Sequence, residues 1–258
     1  MNDEGLIHFE AESQSALLTI NRPEKRNALT DEMLKCIARY CTQIEQSDTI
    51  RSLIITGAGQ QSFCAGGDIN AWSALDAAHF GRHWVRHGHR ALDQLARLSV
   101  PVIAVLNGDT LGGGLELAAT ADYRIAESHI KVGQPESGLG IIPGWSGTQR
   151  AVRRFGSTPV KRMALFGEIF NAEQSLLLGI VDKVVDPGEG IRAARELADS
   201  IEAKAPMATE LTKALINSAE GEERERVAEF LAGMVAASSD DLQTGLHAFF
   251  QKKKPEYS

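Results

Sequence analysis

The chain has 258 residues, 43% hydrophobic and 24% charged, enough to bury a full core as one large domain or a domain with a small appendage. A formal net charge of −7 argues against a nucleic-acid-binding surface, though not against a small polyanion held by a local cationic patch. The three cysteines, Cys36, Cys41 and Cys64, form no CxxC pair, the acidic start lacks an apolar run, and no stretch approaches the roughly 20 apolar residues of a membrane helix, so a reduced cytoplasmic protein is expected.

In chain order, LIHFEAE and SALLTINRP have the length and turn spacing of a hairpin closed by Glu12 to Gln14. A polar loop follows, and Thr30 before Asp31 and Glu32 marks a helix start. Met33, Leu34, Ile37, Ala38, Cys41 and Ile44 then recur at helical spacing, and RSLIITG is a compact apolar strand. Residues 75–98 read as a helix broken near Gly81 or Gly88. VIAVLNG is a buried strand after Pro101, and ADYRIAE and HIKVGQPE are two shorter ones. From about residue 157 the period is helical, with polar or proline starts and glycine stops, interrupted by one strand, IVDKVVD. The expectation is an α/β core over residues 1–190 and a helical region over 191–258 for oligomerisation or for closing the site.

Two glycine-rich loops follow apolar strands: SFCAGGDI after RSLIIT, and GDTLGGGLEL after VIAVLN. Such loops let the backbone approach a ligand and aim N–H groups at an anion, and one N–H from each would make a two-donor oxyanion hole. The three glycines Gly112 to Gly114 run straight into an apolar helical segment that carries one carboxylate, Glu116. Glycines weaken helices and a buried lone carboxylate is costly, so the combination asks for a functional reason. A second carboxylate, Glu136, follows a strand end in the glycine-rich run GQPESGLGIIPGWSGTQR. Two carboxylates facing one cleft suit general acid–base chemistry.

Several other chemistries lose ground. Gly57-Ala58-Gly59 lacks the third glycine of a dinucleotide loop, no Walker pattern occurs, and Gly144-Trp145-Ser146-Gly147 has the wrong spacing for a serine nucleophile elbow. Cys64 reads as a small buried hydrophobe rather than a nucleophile. His79, His83 and His87 share a helix face, but no HExxH arrangement is present and arginines interleave, so they read as a polar face or pocket rim and no metal site is expected.

Together NRPEKRNAL, FCAGGDI, NGDTLGGGLELAATADYRIA, GQPESGLGIIPGWSGTQR, GIVDKVV and AFFQKKKP resemble the enoyl-CoA hydratase/isomerase (crotonase) superfamily, in its order and over nearly the whole chain. The resemblance implies a crotonase-like spiral of ββα units with a helical C-terminal region, assembled as a trimer or dimer of trimers. It implies an acyl-CoA thioester as substrate, with coenzyme A part of that substrate and no separate cofactor. The oxyanion-hole donors fall on the N–H groups of Gly67 and Gly113, and the two glutamates of hydratases fall on Glu116 and Glu136. Glu116 is expected to take a proton from water and Glu136 to deliver one to the α-carbon. Coenzyme A is expected along Lys25, Arg26, Ala28, Ala65, Asp68 and Ile69, with Phe249 and Lys252 approaching its nucleotide end, in a neighbouring subunit or its own.

The expected activity is therefore hydration of a trans-2-enoyl-CoA. Isomerisation or other acyl-CoA enolate chemistry is the alternative, and a noncatalytic or RNA-associated relative a weaker one. Three departures from the family pattern bear on the substrate. Asp109-Thr110 place a carboxylate near the oxyanion loop, Ser137-Gly138 are expected to widen or polarise the acyl pocket, and Trp72 and Trp84 are either pocket-shaping or ordinary core aromatics.

Overall fold

Ile7–Glu12 (β1) and Ser15–Ile20 (β2) pair antiparallel, with the tight turn closed by Ser13 in the left-handed region at φ 52. A computed structural model describes residues 5–222 and 224–256, for 224–229 the backbone only. β2 then pairs in parallel with Ser52–Gly57 (β3) after the helix Asp31–Glu45 (α1), whose Thr30 side chain accepts from Met33 N as expected of an N-cap.

From β3 onward the chain repeats one move. It leaves each long strand of the larger sheet through a short strand of a second sheet before a helix. β3 is followed by Ser62–Cys64 (β4), Val102–Leu106 (β5) by Asp109–Leu111 (β6), and Tyr123–Glu127 (β7) by Lys131–Gly133 (β8). β3, β5 and β7 lie side by side in parallel, as do β4, β6 and β8. The helices after the three short strands are Ile69–Trp72 (α2), Ala77–His79 (α3) and Arg86–Ala96 (α4) in the first unit, Gly113–Ala118 (α5) in the second, and Gln149–Phe155 (α6) with Ser157–Phe166 (α7) in the third. This is the expected spiral of ββα units.

The larger sheet ends with Lys183–Val185 (β10), parallel to β7. Phe170–Asn171 (β9), before the helix Ala172–Leu177 (α8), closes the smaller sheet antiparallel to β8. The sequence pattern reads β4 and β6 as parts of glycine-rich loops and places β9 in a helical region, because two or three residues are too few to display a period.

One face of the larger sheet buries Leu18, Ile20, Leu53 and Ile55 with Met33 and Ile37 of α1 and Leu92 and Leu95 of α4. The other face presents Ile54, Ile103, Val105 and Ile125 to Ala193, Ala194 and Ala198 of Gly190–Glu202 (α9). Small side chains on α9 let it lie close to the strands. The chain forms two compact units, residues 1–210 and 211–258. The expected division at 190 differs from this one because α9 is a layer of the first unit. Pro206–Ala219 (α10) crosses the division, and Arg224–Ala237 (α11) and Asp240–Phe250 (α12) belong to the second unit.

The helix 75–98 is not one helix. Between α3 and α4 lies a π-helical turn, Phe80–Val85, which contains Gly81. Gly88 breaks nothing; it is a buried helical residue on which a Cβ would collide with the Trp145 indole.

A Cβ on Gly114 would collide with the Cys64 carbonyl oxygen, where backbone meets backbone and nothing can swing aside. Gly114→Ala is expected to destabilise by about 1–3 kcal/mol. Gly81→Ala, with nothing within 4 Å of its Cβ position, should change stability by no more than about 0.5 kcal/mol. Denaturant unfolding of the two variants checks the contrast.

Candidate active site

The two glycine loops meet. Residues 26–29 strap the first of them, with Ala65 N donating to the Arg26 carbonyl, Leu29 N to that of Gly66, and Asp68 N to that of Leu29. Gly66 has φ 104, a conformation that favours glycine, and Gly112 in the second loop has φ 55. A Cβ on Gly66 would stand 3.1 Å from Gly113 N, and one on Gly113 would stand 3.3 Å from Gly66 Cα. The loops can approach this closely only as glycines. Among the described residues no acceptor takes the N–H of Gly67 or of Gly113, and both residues line the same cavity.

Glu116 sits one turn into α5, 3% exposed. Its Oε1 accepts two backbone hydrogen bonds, from Trp145 N and Gly147 N, each at 2.6 Å. Burial pushes its carboxyl up to about 8, the nearby Glu136 charge adds to that, and the two N–H groups and Arg150 pull against it. Glu136 begins a 3-10 turn, Glu136–Leu139, and is 7% exposed. Both of its carboxylate oxygens are buried without a partner among the described residues, and burial pushes its carboxyl up to about 7. A Cβ on Gly112 would stand 3.1 Å from Glu136 Oε1, which puts this carboxylate directly over the second glycine loop.

Gly67, Gly113, Glu116 and Glu136 thus share one cavity of about 100 Å³. The rest of its wall is mainly apolar, with Ile69, Trp72, Phe80, Trp84, Leu139 and Trp145 prominent. Low polarity strengthens any interaction of the two N–H groups with a developing negative charge. Trp84 is both of the things expected of it, a buried aromatic and part of the pocket wall. It packs on Trp145 with ring centroids 5.1 Å apart.

Of the residues expected along coenzyme A, Ala65 and Ile69 line the cavity. Lys25, just before the strap, and Arg26, at its start, are exposed, and Ala28 on the strap is half-buried. The Asp68 carboxylate is engaged within the fold: it accepts from Arg22 Nη1 at 2.6 Å and from Asn70 N at 2.9 Å, capping α2. Burial works against its charge, but the Arg22 and Asn70 bonds outweigh it and hold the carboxyl below its usual range. Phe249 and Lys252 belong to the second unit, at the end of α12 and just beyond, with Phe249 exposed.

Two expectations about the pocket change. Ser137 neither polarises nor widens it: its hydroxyl donates to the Ala164 carbonyl at 2.9 Å, and neither Ser137 nor Gly138 lines the cavity. Asp109 serves the scaffold, because Oδ1 accepts from Lys131 N at 3.1 Å and ties β6 to β8. Cys64 is buried, with its thiol pushed up to about 12 by desolvation, as suits a packing residue. The three histidines form a row, His79 stacked on His83 and His83 edge-on to His87, with His79 on Asp76 and His87 on Asp31.

Sequence reasoning missed Trp145 and Gly147, the donors to Glu116. GWSG was tested there only as a nucleophile elbow, and its spacing carries no sign of a backbone anion site. It also missed Arg22, the partner of Asp68.

The family described as enoyl-CoA hydratase/isomerase matches residues 10–258. The chain is 37% identical over 252 residues to a short-chain-enoyl-CoA hydratase of Clostridium acetobutylicum, covering 97% of this chain and 96% of that one. It is also 37% identical to a crotonyl-CoA hydratase of Syntrophomonas wolfei, with 97% of each covered. Among solved structures, Pseudomonas aeruginosa DspI superposes with a TM-score of 0.83 at 32% identity, covering 100% of this chain and 98% of that one. No described helix is long and apolar enough to cross a membrane.

Raised folded-state carboxyl values mean that the folded chain holds more protons than the unfolded one. The favourable contribution of the protonated groups is complete below the ordinary value of 4.5 and is lost as pH rises through about 7 and 8. Stability should therefore fall from pH 5 to pH 8, and fall less in Glu136→Gln, which keeps the shape and cannot ionise. Melting temperatures at the two pH values check this; equal falls in both proteins would contradict it.

Proposed function

The chain belongs to the enoyl-CoA hydratase/isomerase family, and we propose that it is an enoyl-CoA hydratase acting on trans-2-enoyl-CoA thioesters with short acyl groups. The observation that carries this reading is the sharing of one largely apolar cavity by two buried carboxylates and two unengaged glycine N–H groups.

The thioester oxygen accepts from Gly67 N and Gly113 N. A water placed between the glutamates adds to the β-carbon. Glu116 takes its proton as the new C–O bond forms, and the electrons of the double bond move onto the thioester oxygen as an enolate. The enolate returns its electron pair to the α-carbon, which takes a proton from Glu136 to leave a 3-hydroxyacyl-CoA. One carboxyl has gained a proton and the other has lost one, so exchange between them restores the starting state. This cycle needs one charged and one neutral carboxyl, and a pair raised to about 7 and 8 supplies that near neutral pH.

By those values alone Glu116 would keep the shared proton. Its Oε1 accepts two N–H bonds that favour its charged form, a pull already contained in that value, whereas the Glu136 carboxylate has only its own N–H. The resemblance of these two positions to the hydratase pair decides between them. Glu116 is accordingly the base. Retention of both carboxylates favours hydration over isomerisation, because moving a double bond needs only one group to shuttle a proton. The short acyl preference rests on the named activities of the relatives from Clostridium acetobutylicum and Syntrophomonas wolfei.

A homotrimer or dimer of trimers, residence in the cytoplasm, and the contribution of Lys25, Arg26, Ala28, Asp68, Phe249 and Lys252 to holding coenzyme A belong to the same proposal. So does a role for the helical C-terminal region in oligomerisation or closure. Coenzyme A enters as part of the substrate, and the proposed chemistry uses no other cofactor.

Glu116→Gln and Glu136→Gln should each lower kcat for hydration of crotonyl-CoA by about 10²–10⁴, with binding of the thioester retained. Loss of the conjugated enoyl-thioester absorbance measures the rate and calorimetry the binding. Turnover like the wild type in either variant would sink the assignment.

A further inference from the structure

The turn Gly144–Gly147 holds a strain that the hydration chemistry does not use. Ser146 has φ 77, a left-handed conformation that disfavours a residue with a Cβ. Its neighbours on either side, Trp145 and Gly147, are the two donors to Glu116 Oε1. Two nitrogens each 2.6 Å from one oxygen can be no further apart than twice that distance. An extended chain sets residues i and i+2 about 6.6 Å apart. The turn must therefore be bent to serve Glu116, and something must keep it bent.

Gln134 Nε2 donates to the Gly147 carbonyl at 3.0 Å, and the Arg150 and Ala151 N–H groups donate to that of Ser146; the other support is α4. Its consecutive residues Gly88 and His89 receive the consecutive residues Trp145 and Ser146. The Trp145 indole lies on Gly88 where no Cβ fits, and Ser146 Oγ hydrogen-bonds His89 Nδ1 at 3.1 Å. One turn further along α4, Asp93 Oδ1 pairs with Arg150 Nη2 at 2.6 Å just after the turn. α4 is itself packed against α1 in the first unit.

We propose that His89 is a positioning residue for the Glu116 carboxylate, acting through Ser146 to hold the bent turn whose two N–H groups fix Glu116 Oε1. Among the described residues, His89 does not line the cavity and is not a hydrogen-bond partner of either glutamate. Its influence on rate rests on the hydratase reading; its influence on the Glu116 carboxylate does not.

The test uses the full chain with His89→Ala, His89→Asn, Ser146→Ala and Ser146→Gly, and the double variant of the two alanines. Asparagine can place either an acceptor or a donor where His89 Nδ1 stands. Glycine removes the hydroxyl while accommodating the left-handed φ, so Ser146→Gly is informative even where Ser146→Ala folds poorly. For hydration of crotonyl-CoA, His89→Ala and each Ser146 variant should lower kcat about tenfold with KM changed less than about twofold. The double variant should be no worse than either alanine alone, and His89→Asn should recover most of the rate.

Independently of activity, the Glu116 carboxyl is followed by carbon NMR of labelled glutamate in a Glu136→Gln background. Removing the tether should move its titration upward by about one pH unit, the loss of roughly one charge-assisted hydrogen bond. Unchanged kcat and titration, additive effects in the double variant, or His89→Asn as impaired as His89→Ala would overturn the proposal. A wild type that hydrates no enoyl-CoA overturns the hydratase reading, and the NMR titration still decides the role of His89.

Discussion

The site depends on one close approach, that of the backbone at Gly66-Gly67 to the backbone at Gly113-Gly114. Side chains are excluded there on both sides: a Cβ on Gly66 meets Gly113 N, and one on Gly114 meets the Cys64 carbonyl. The approach follows from the parallel neighbours β4 and β6, which bring the two loops off adjacent strands of the smaller sheet at the same level. Two N–H groups then face one space with no partner among the described residues. Preorganised donors of this kind cost nothing to reorient when charge appears on a bound oxygen.

The second constraint is electrostatic. Two carboxyls are held in an apolar wall, raised mainly by burial, and among the described residues only Glu116 is given donors from elsewhere in the chain. The asymmetry between Glu116, pinned by Trp145 N and Gly147 N, and Glu136, which no other described residue bonds, gives two residues of identical chemistry different surroundings. The same burial is expected to lower stability toward alkaline pH. The same wall recruits large aromatics: Trp145 supplies a backbone donor to Glu116 and a ring that fills the space over Gly88 and against Trp84.

Much of this was legible in the residues. The hairpin, α1 with its Thr30 cap, and the strands β3, β5 and β7 follow from period and capping, because each is long enough for its pattern to repeat. Glu116 and Glu136 stand out as carboxylates in glycine-rich and apolar surroundings, and family resemblance pairs them with Gly67 and Gly113. β4, β6 and β9 were not legible, since two or three residues carry no period. Nor was the π-helical turn at Phe80–Val85, because its spacing differs from that of an α-helix by less than a sequence pattern resolves. Ser137 and Asp109 looked like pocket modifiers by position, and tertiary neighbours, the Ala164 carbonyl and Lys131 N, turned them to the scaffold.

Local chemistry determined which segments become strands and helices, where a carboxylate enters an apolar run, and which loops must lack side chains. Those outcomes depend on neighbours a few residues away. Only the tertiary structure decided that two loops 46 residues apart in sequence, at Gly67 and Gly113, touch, that Gly88 exists for the Trp145 ring rather than for a helix break, and that GWSG is an anion-holding turn rather than a nucleophile's. Each of these depends on which segments pack together, and packing partners distant in the chain leave no periodic trace in the residues that meet.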